Sequence, residues 1–352
     1  MNPAPRTWVA LDIGGANLKA AHASGETRTV AFELWKRPER LAEELRKLLG
    51  GLPPADGVAL TMTAELCDCF PTKAVGVRAV VDATREACPG DVLAIWCVDG
   101  RFHPASYIRE HPAGAAAANW LALATVVARM VPDGRGLLID IGSTTVDLIP
   151  FAGGAVTARG RTDTERLRSG ELVYAGARRT PLCALATDVV FGEGSIGLAA
   201  ELFSTTLDVY LTLGEVAEDP DELSTADGRP ATVDHARDRL ARMIGADRDG
   251  FSPEDARDLA RAFDAALRGR LLAAAARALG EADWPPRVVA IAGSGAFLAR
   301  RVAEEWLAPG GTILDLEQIW GPHASSAGCA HALLALARDR DEAGDFRGDA
   351  WS

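Results

Sequence analysis

Asp12 stands at the end of an apolar run, Gly14 and Gly15 turn the chain, and Asn17 and Lys19 follow at alternate positions. The order recurs further on: Asp140 ends an apolar run, Gly142 and Ser143 turn the chain, and Thr144 and Thr145 follow. A glycine turn between two strands exposes consecutive backbone N–H groups, and such a concavity holds an oxyanion without net positive charge. Glycine allows the backbone to come close and to adopt positive φ. A carboxylate at the strand end repels phosphate unless Mg²⁺ stands between them, since hard oxygen ligands and bridging waters suit that ion. Lys19 adds a point charge, and Ser143, Thr144 and Thr145 add hydroxyl donors. Taken alone, either turn reads as an ordinary tight hairpin. Two of them, with a third glycine turn at Gly293-Ser294-Gly295, read as a phosphate-handling device with Asp12 and Asp140 as its metal ligands.

These residues need strands to hold them. The apolar run 7–13 reads as a buried strand, 17–22 as its hairpin partner and 29–34 as a third strand. Pro38 opens a helix with Leu41, Leu45, Leu48 and Leu49 on one stripe, and Gly50-Gly51 ends it. Residues 58–62 and 92–98 read as strands, with a helix over 75–87 between them. His111-Pro112 begins an alanine-rich helix running to Met130, and Pro132-Asp133-Gly134 breaks the chain. The strand pattern then returns at 136–141 and 144–150. LDIGGANLKA, from Leu11, matches IDIGSTTVDL, from Ile139, so Asp140 follows Asp12 by 128 residues. The second half is more helical, with Leu198, Leu202, Val209 and Leu213 about four apart and an acidic surface loop over 217–230. Ser252-Pro253-Glu254-Asp255 is a capping-box start for a helix through Leu259, Phe263, Leu267 and Leu271. Residues 287–292 form another buried strand, a helix starts at Ala296, and the chain from about Arg338 is polar and frayed.

A length of 352 residues suggests two domains. Hydrophobic residues at 48% and charged residues at 24% exclude a disordered, collagen-like or coiled-coil chain. Lys and Arg number 37 against 49 Asp and Glu, giving a net charge of −12, which repels nucleic acid and anionic lipid. Charged residues from Arg6 onward interrupt any signal peptide, and the longest uncharged run, 113–128, is too short to span a bilayer. The six cysteines form no CxxC pair, so reduced thiols and a cytoplasmic location are expected. Cys67 and Cys69 find no second pair to complete a zinc set, and the six histidines show no metal spacing.

Strings along nearly the whole chain resemble the acetate and sugar kinase, Hsp70 and actin superfamily. DIGGANLK (12–19) is similar to its first phosphate motif, DIGSTTVDL (140–148) to its second, IAGSGAFLA (291–299) to its adenosine motif and SSAGCAHALLAL (325–336) to its second connecting helix. The resemblance implies an α/β fold of two ribonuclease-H-like domains around a central cleft. The first would cover 1–130, completed by a C-terminal helix at 324–338; the second would cover 131–323, with a polar tail at 339–352. Many phosphotransferases of this superfamily carry threonine where this chain has Ala16, which argues against ordinary ATP turnover. Longer strings narrow the resemblance: GGANLKAA from Gly14, LTMTAELCDCF from Leu60, AAANWLALA from Ala116, ELFSTTLDVYLTLG from Glu201 and RLARMIGAD from Arg239. They look like the hydantoinase/oxoprolinase-like proteins of the tetrahydromethanopterin-linked one-carbon pathway, which correspond to the condensing enzymes of methanofuran biosynthesis.

That resemblance implies a transferase joining an aminomethylfuran-methyl diphosphate to the phenol of a γ-glutamyl-tyramine or tyrosine-type acceptor, with loss of pyrophosphate. Such a reaction needs the leaving diphosphate neutralised, the phenol positioned, and a base for a proton of unperturbed pKa ~10. Mg²⁺ and the glycine turns meet the first need. A polar patch after the 58–62 strand, Thr61, Thr63, Glu65 and Asp68, meets the others, with Glu65 first and Asp68 second as base beside Lys19. Thr63 and Asn119 are candidate substrate contacts, although Asn119 reads as well as a satisfied core amide. The arginines between Arg159 and Arg179 read mainly as a surface loop of mixed ion pairs. Expected partners are thus a small diphosphate and a phenol, with no nucleic acid and no membrane; a homodimer is compatible with a sequence silent on oligomeric state. The competing readings are an ATP-dependent kinase or ATPase of the same fold, a subunit of an ATP-dependent amide hydrolase, and a nucleotide-sensing scaffold.

Overall fold

β1 (Trp8–Ile13) is buried along its whole length, as a strand covered on both faces must be. It pairs antiparallel with β2 (Asn17–His22), which pairs with β3 (Thr27–Ala31). α1 (Leu41–Gly50) buries Leu41, Leu45 and Leu48 along one face and carries the chain back to β4 (Gly57–Met62), parallel to β1. α2 (Lys73–Ala87) makes the next crossover, to β5 (Val92–Trp96), parallel to β4. β6 (Phe102–Pro104), α3 (Ala105–Glu110) and α4 (Asn119–Arg129) follow. The sheet order is β3-β2-β1-β4-β5-β6. This computed structural model describes residues 6–280, 285–346 and 351.

The pattern then repeats. β7 (Arg135–Ile141) and β8 (Val146–Ala152) form the second hairpin, and β9 (Ala155–Val156) pairs with the end of β8. α5 (Asp163–Ser169), β10 (Leu172–Val173) and the small sheet of β11 (Asp188–Phe191) and β12 (Gly194–Gly197) lead to α6 (Thr206–Thr212) and α7 (Val233–Met243). α8 (Pro253–Leu279) buries Leu259, Phe263, Leu267 and Leu271 in the second core. β13 (Val288–Ala292) pairs in parallel with β7 and with β14 (Thr312–Asp315), and α9 (Ala296–Trp306) lies between β13 and β14 in the chain. The second sheet runs β10-β8-β7-β13-β14. α10 (Leu316–Trp320), α11 (Pro322–Ser326) and α12 (Gly328–Ala343) complete the chain. Each sheet sets an antiparallel hairpin beside parallel strands reached by helical crossovers, the ribonuclease-H-like arrangement expected.

The chain divides into two units. The first comprises Met1–Gly134, Phe151–Glu165 and Leu316–Ser352, and the second Arg135–Pro150 and Arg166–Asp315. Compared with the expected boundaries, the first unit also takes the β8–β9 turn and resumes at Leu316. The expected polar tail is corrected in part: α12 continues to Ala343, Asp341 Oδ1 accepts from Arg6 Nη1 at 2.7 Å, and Phe346 is buried with its ring 4.8 Å from that of Trp8. Residues 347–350 and 352 lie outside the described residues. The continuous helix expected over 111–130 is also corrected. A 3-10 turn covers Pro112–Gly114, Ala117 takes the left-handed conformation (φ 47), and α4 starts at Asn119. A tertiary bond from Val98 N–H to the Gly114 carbonyl, at 2.8 Å, overrides the local alanine preference for helix. Similarly, the 198–213 periodicity yields helix only over Thr206–Thr212, because Leu198 and Ala199 donate instead to Thr187 and Met243. No helix among the described residues is long and apolar enough to cross a membrane.

Candidate active site

The two aspartate-glycine turns are built alike. Gly14 N–H donates to the Asn17 carbonyl at 3.0 Å, and Gly142 N–H donates to the Thr145 carbonyl at 2.9 Å. In the first turn the Gly15 and Ala16 carbonyls accept from Leu34 and Phe32, each at 3.0 Å. In the second, the Gly142 carbonyl accepts from Ala177 at 2.9 Å, and the Ser143 carbonyl accepts from Arg178 at 3.1 Å and Arg179 at 2.9 Å. With the carbonyls committed, the N–H groups of Gly15, Ala16, Ser143 and Thr144 have no partner among the described residues. Adjacent donors left in this way form an anion-binding nest.

In the first unit, Asp12 lies opposite Lys19 on β2 and beside Thr61 on β4, all on one register line. The Thr61 hydroxyl is buried and unpartnered. A methyl group at Gly14 would lie 3.7 Å from Thr63 Oγ1, and one at Gly15 would lie 2.7 Å from Cys67 Sγ. The turn and the Thr61–Cys67 segment therefore touch. Burial, with the neighbouring Cys69, Glu65 and Asp68, pushes the Cys67 thiol up to about 11, so it is a neutral packing group.

Glu65 is 1% exposed, and neither carboxyl oxygen makes a hydrogen bond. Burial pushes its pKa up to about 7; nearby backbone N–H groups of Glu65 and Ala117, and the Lys73 ammonium, offset this only in part. Lys73 is itself paired with Asp163 at 2.6 Å. Gly76 lets α2 close over the residue, since a methyl group there would sit 2.5 Å from the Glu65 carbonyl oxygen. Asp68, by contrast, is exposed. Asn119 is the first residue of α4, and its Oδ1 accepts from Trp120 N–H at 2.8 Å, so the carbonyl half of the amide is engaged locally.

In the second unit, β13 delivers Gly293, Ser294 and Gly295 onto the second turn. Ala292 pairs with Asp140, and Gly295 N–H donates to the Ile141 carbonyl at 2.8 Å. Gly293 has φ +85, and a methyl group there would lie 2.3 Å from both Asp140 Oδ1 and the Ile141 carbonyl oxygen. Gly293→Ala is expected to cost about 2–4 kcal/mol, from positive φ and from overlap. Chemical denaturation checks this, and a variant as stable as the parent would refute the close approach.

Several contributors were not singled out from sequence: Lys73, Gly76, Ala117 and Gly176. Gly176 shows no side chain because one would strike the second turn, 2.5 Å from Thr144 N. The histidine reading also needs qualification. Cys97, Asp99 and His103 come within 4.8 Å of one another, although His103 Nε2 and Asp99 Oδ2 already bond each other at 2.8 Å and Cys97 is buried.

Two ribonuclease-H-like units, each presenting an aspartate and a glycine turn, define the actin-like class that includes acetate and sugar kinases, Hsp70 and actin. Within it, the chain belongs to the hydantoinase/oxoprolinase family, which it matches over residues 56–338. A relative from Methanocaldococcus jannaschii, a "(4-{4-[2-(gamma-L-glutamylamino)ethyl]phenoxymethyl}furan-2-yl)methanamine synthase", is 34% identical over 255 residues, 71% of this chain and 75% of the relative. A synthase of the same name from Methanococcus vannielii is 34% identical over 128 residues, 36% of this chain and 57% of the relative. Among solved structures, nucleotide-free acetone carboxylase shares the fold, with a TM-score of 0.55 at 10% identity, covering 94% of this chain and 70% of that one. Two of the strings that carried the narrower resemblance also meet in space: Asp208, from the one beginning at Glu201, binds Arg239, which opens the next, at 2.7 Å in a wholly buried ion pair.

Proposed function

We infer that the chain is a transferase of methanofuran biosynthesis. It condenses an (aminomethylfuranyl)methyl diphosphate with the phenol of a γ-glutamyl-tyramine or tyrosine-type acceptor, forming an aryl ether and releasing pyrophosphate. The relatives' printed name supports this, for it describes a phenol oxygen bonded to the methyl carbon of an aminomethylfuran. The observation that carries the reading to this chain's own residues is Glu65, a buried and unpartnered carboxyl whose pKa lies near 7. A general base works best when its pKa lies near the operating pH.

In this mechanism the carbon–oxygen bond to the diphosphate breaks, the electron-rich furan spreads the positive charge, and the phenol oxygen forms the new bond. Glu65 takes the phenolic proton; the N–H nest of Gly15 and Ala16 and the N–H nest of Ser143 and Thr144 are each suited to phosphate oxygens. Lys19 contributes a fixed positive charge beside Asp12. Asp68 is exposed, so Glu65 takes the role of base. The donor set suits Mg²⁺: Asp12 and Asp140 are hard carboxylate ligands beside the nests, and glycine at 293 keeps a methyl group off Asp140 Oδ1. When bound, Mg²⁺ would neutralise the charge developing on the leaving diphosphate. Ala16 leaves the first nest without the hydroxyl common in phosphotransferases, which weighs against ordinary ATP turnover.

The test is direct. The purified chain is incubated with Mg²⁺, a furfuryl diphosphate and a tyramine-like phenol, and the ether is sought by mass. Ether together with pyrophosphate is the expected result. Absence of ether, with ADP formed from added ATP, would favour the kinase reading instead.

A further inference from the structure

We propose that Arg178 grips the diphosphate of the donor at the second turn. Its backbone is held on both sides: its N–H donates to the Ser143 carbonyl at 3.1 Å, and its carbonyl accepts from Leu207, in α6, at 3.1 Å. The loop before it is seated on the same turn. The Gly176 N–H donates to Thr180 Oγ1 at 2.7 Å, the Gly176 carbonyl accepts from Thr206 Oγ1 at 2.8 Å, and a methyl group at 176 would strike Ser143 and Thr144. Arg178 therefore cannot drift from the nest without breaking bonds that also shape it.

The guanidinium itself is uncommitted. Arg178 is half-buried, yet it makes no ion pair or side-chain hydrogen bond among the described residues. This stands out in a chain with 49 acidic residues against 37 basic ones. Arg166, from the same arginine-rich stretch, shows the alternative: it is buried, binds Asp147 Oδ1 at 2.5 Å and donates to the Glu171 carbonyl at 3.1 Å. The expected surface loop of mixed ion pairs thus separates into a structural arginine and one whose backbone is bonded to the turn that carries the free amides. An uncommitted guanidinium and the unpartnered N–H groups of the turn its backbone is bonded to are all donors, and one anion would satisfy them together. A planar guanidinium suits two phosphate oxygens at once. The nest would hold one phosphate through its amides, and Arg178 would supply the charge that Lys19 supplies in the first unit.

This inference rests on the transferase reading for the identity of the anion, and its test separates the two. Binding of inorganic pyrophosphate in the presence of Mg²⁺ is measured by calorimetry for the parent chain, Arg178→Ala, Arg178→Lys and Arg168→Ala. Arg168 is exposed, unpartnered and in the same stretch, so it controls for overall charge. Arg178→Ala is expected to weaken binding about 10- to 100-fold, the worth of a hydrogen bond to a charged group. Arg178→Lys should lie between, and Arg168→Ala should match the parent. Equal binding by Arg178→Ala, an equal loss in Arg168→Ala, or no pyrophosphate binding by the parent would overturn the proposal. In the ether assay, Arg178→Ala should raise KM for the diphosphate and leave KM for the phenol unchanged. A parent that binds pyrophosphate through Arg178 but makes no ether would sink the transferase reading alone.

Discussion

Glu65→Gln is expected to lower kcat by about 10²–10⁴-fold, leave diphosphate binding intact, and make the protein more stable at pH 8. The kinetic part follows from removing the base while keeping its shape. The stability part follows from linkage. Burial raises the folded-state pKa of Glu65 from 4.5 to about 7, so the folded protein holds this proton more tightly than the unfolded chain does. Stability therefore falls as pH rises between those two values, and the full cost, about 3 kcal/mol, is present above about pH 7. Glutamine cannot ionise and escapes that cost. Denaturant titrations at pH 5 and pH 8 should show the gain in the variant growing with pH. The parent's kcat should rise with pH and level off above about 7, as the carboxylate forms. A variant with parental turnover, or a gain in stability that shrinks with pH, would remove Glu65 as the base.

Asp12→Asn and Asp140→Asn should each lower Mg²⁺-dependent turnover by roughly 10²–10³-fold without unfolding the chain. Asparagine keeps the shape and the hydrogen-bonding capacity at the strand end and removes the charge. The two substitutions should act alike because the two turns are alike, down to the bond across each from its glycine N–H. Turnover followed against Mg²⁺ concentration, with circular dichroism to check folding, decides it. Parental activity in both variants would end the reading of the turns as paired phosphate sites.

Much of the framework was legible because it is local. The two hairpins, the strands read at 58–62 and 287–292, and the Ser252 cap with Pro253 all follow from turn residues and periodicity over a few positions. The readings failed where distant contacts decide. Ala117 belongs to an alanine run that favours helix, yet Val98 and Glu65 draw on the same segment from other parts of the chain. Leu202 keeps the helical spacing but stands exposed in irregular chain. The site shows the same division. Glu65 and Asp68 are three residues apart in one turn, and nothing local says that one is sealed and the other open. That difference is made by α2, which approaches through Gly76. The spacing of the arginines, likewise, could not tell Arg166, locked to Asp147, from Arg178, locked only through its backbone.

The aromatic contact at the C-terminus bears on how the chain is made. Trp8 begins the strand that carries Asp12, and its ring lies against Phe346, which also meets Phe102 at 5.4 Å. The first unit is thus assembled from segments on both sides of the second, which is fully synthesised once Asp315 has emerged. At ~5–20 residues per second, Trp8 waits on the order of tens of seconds for its cover. Over that interval the Trp8 ring lacks its Phe346 neighbour, and the second unit can close before the first. The unit that holds Glu65 is complete only when Phe346 has come back to Trp8.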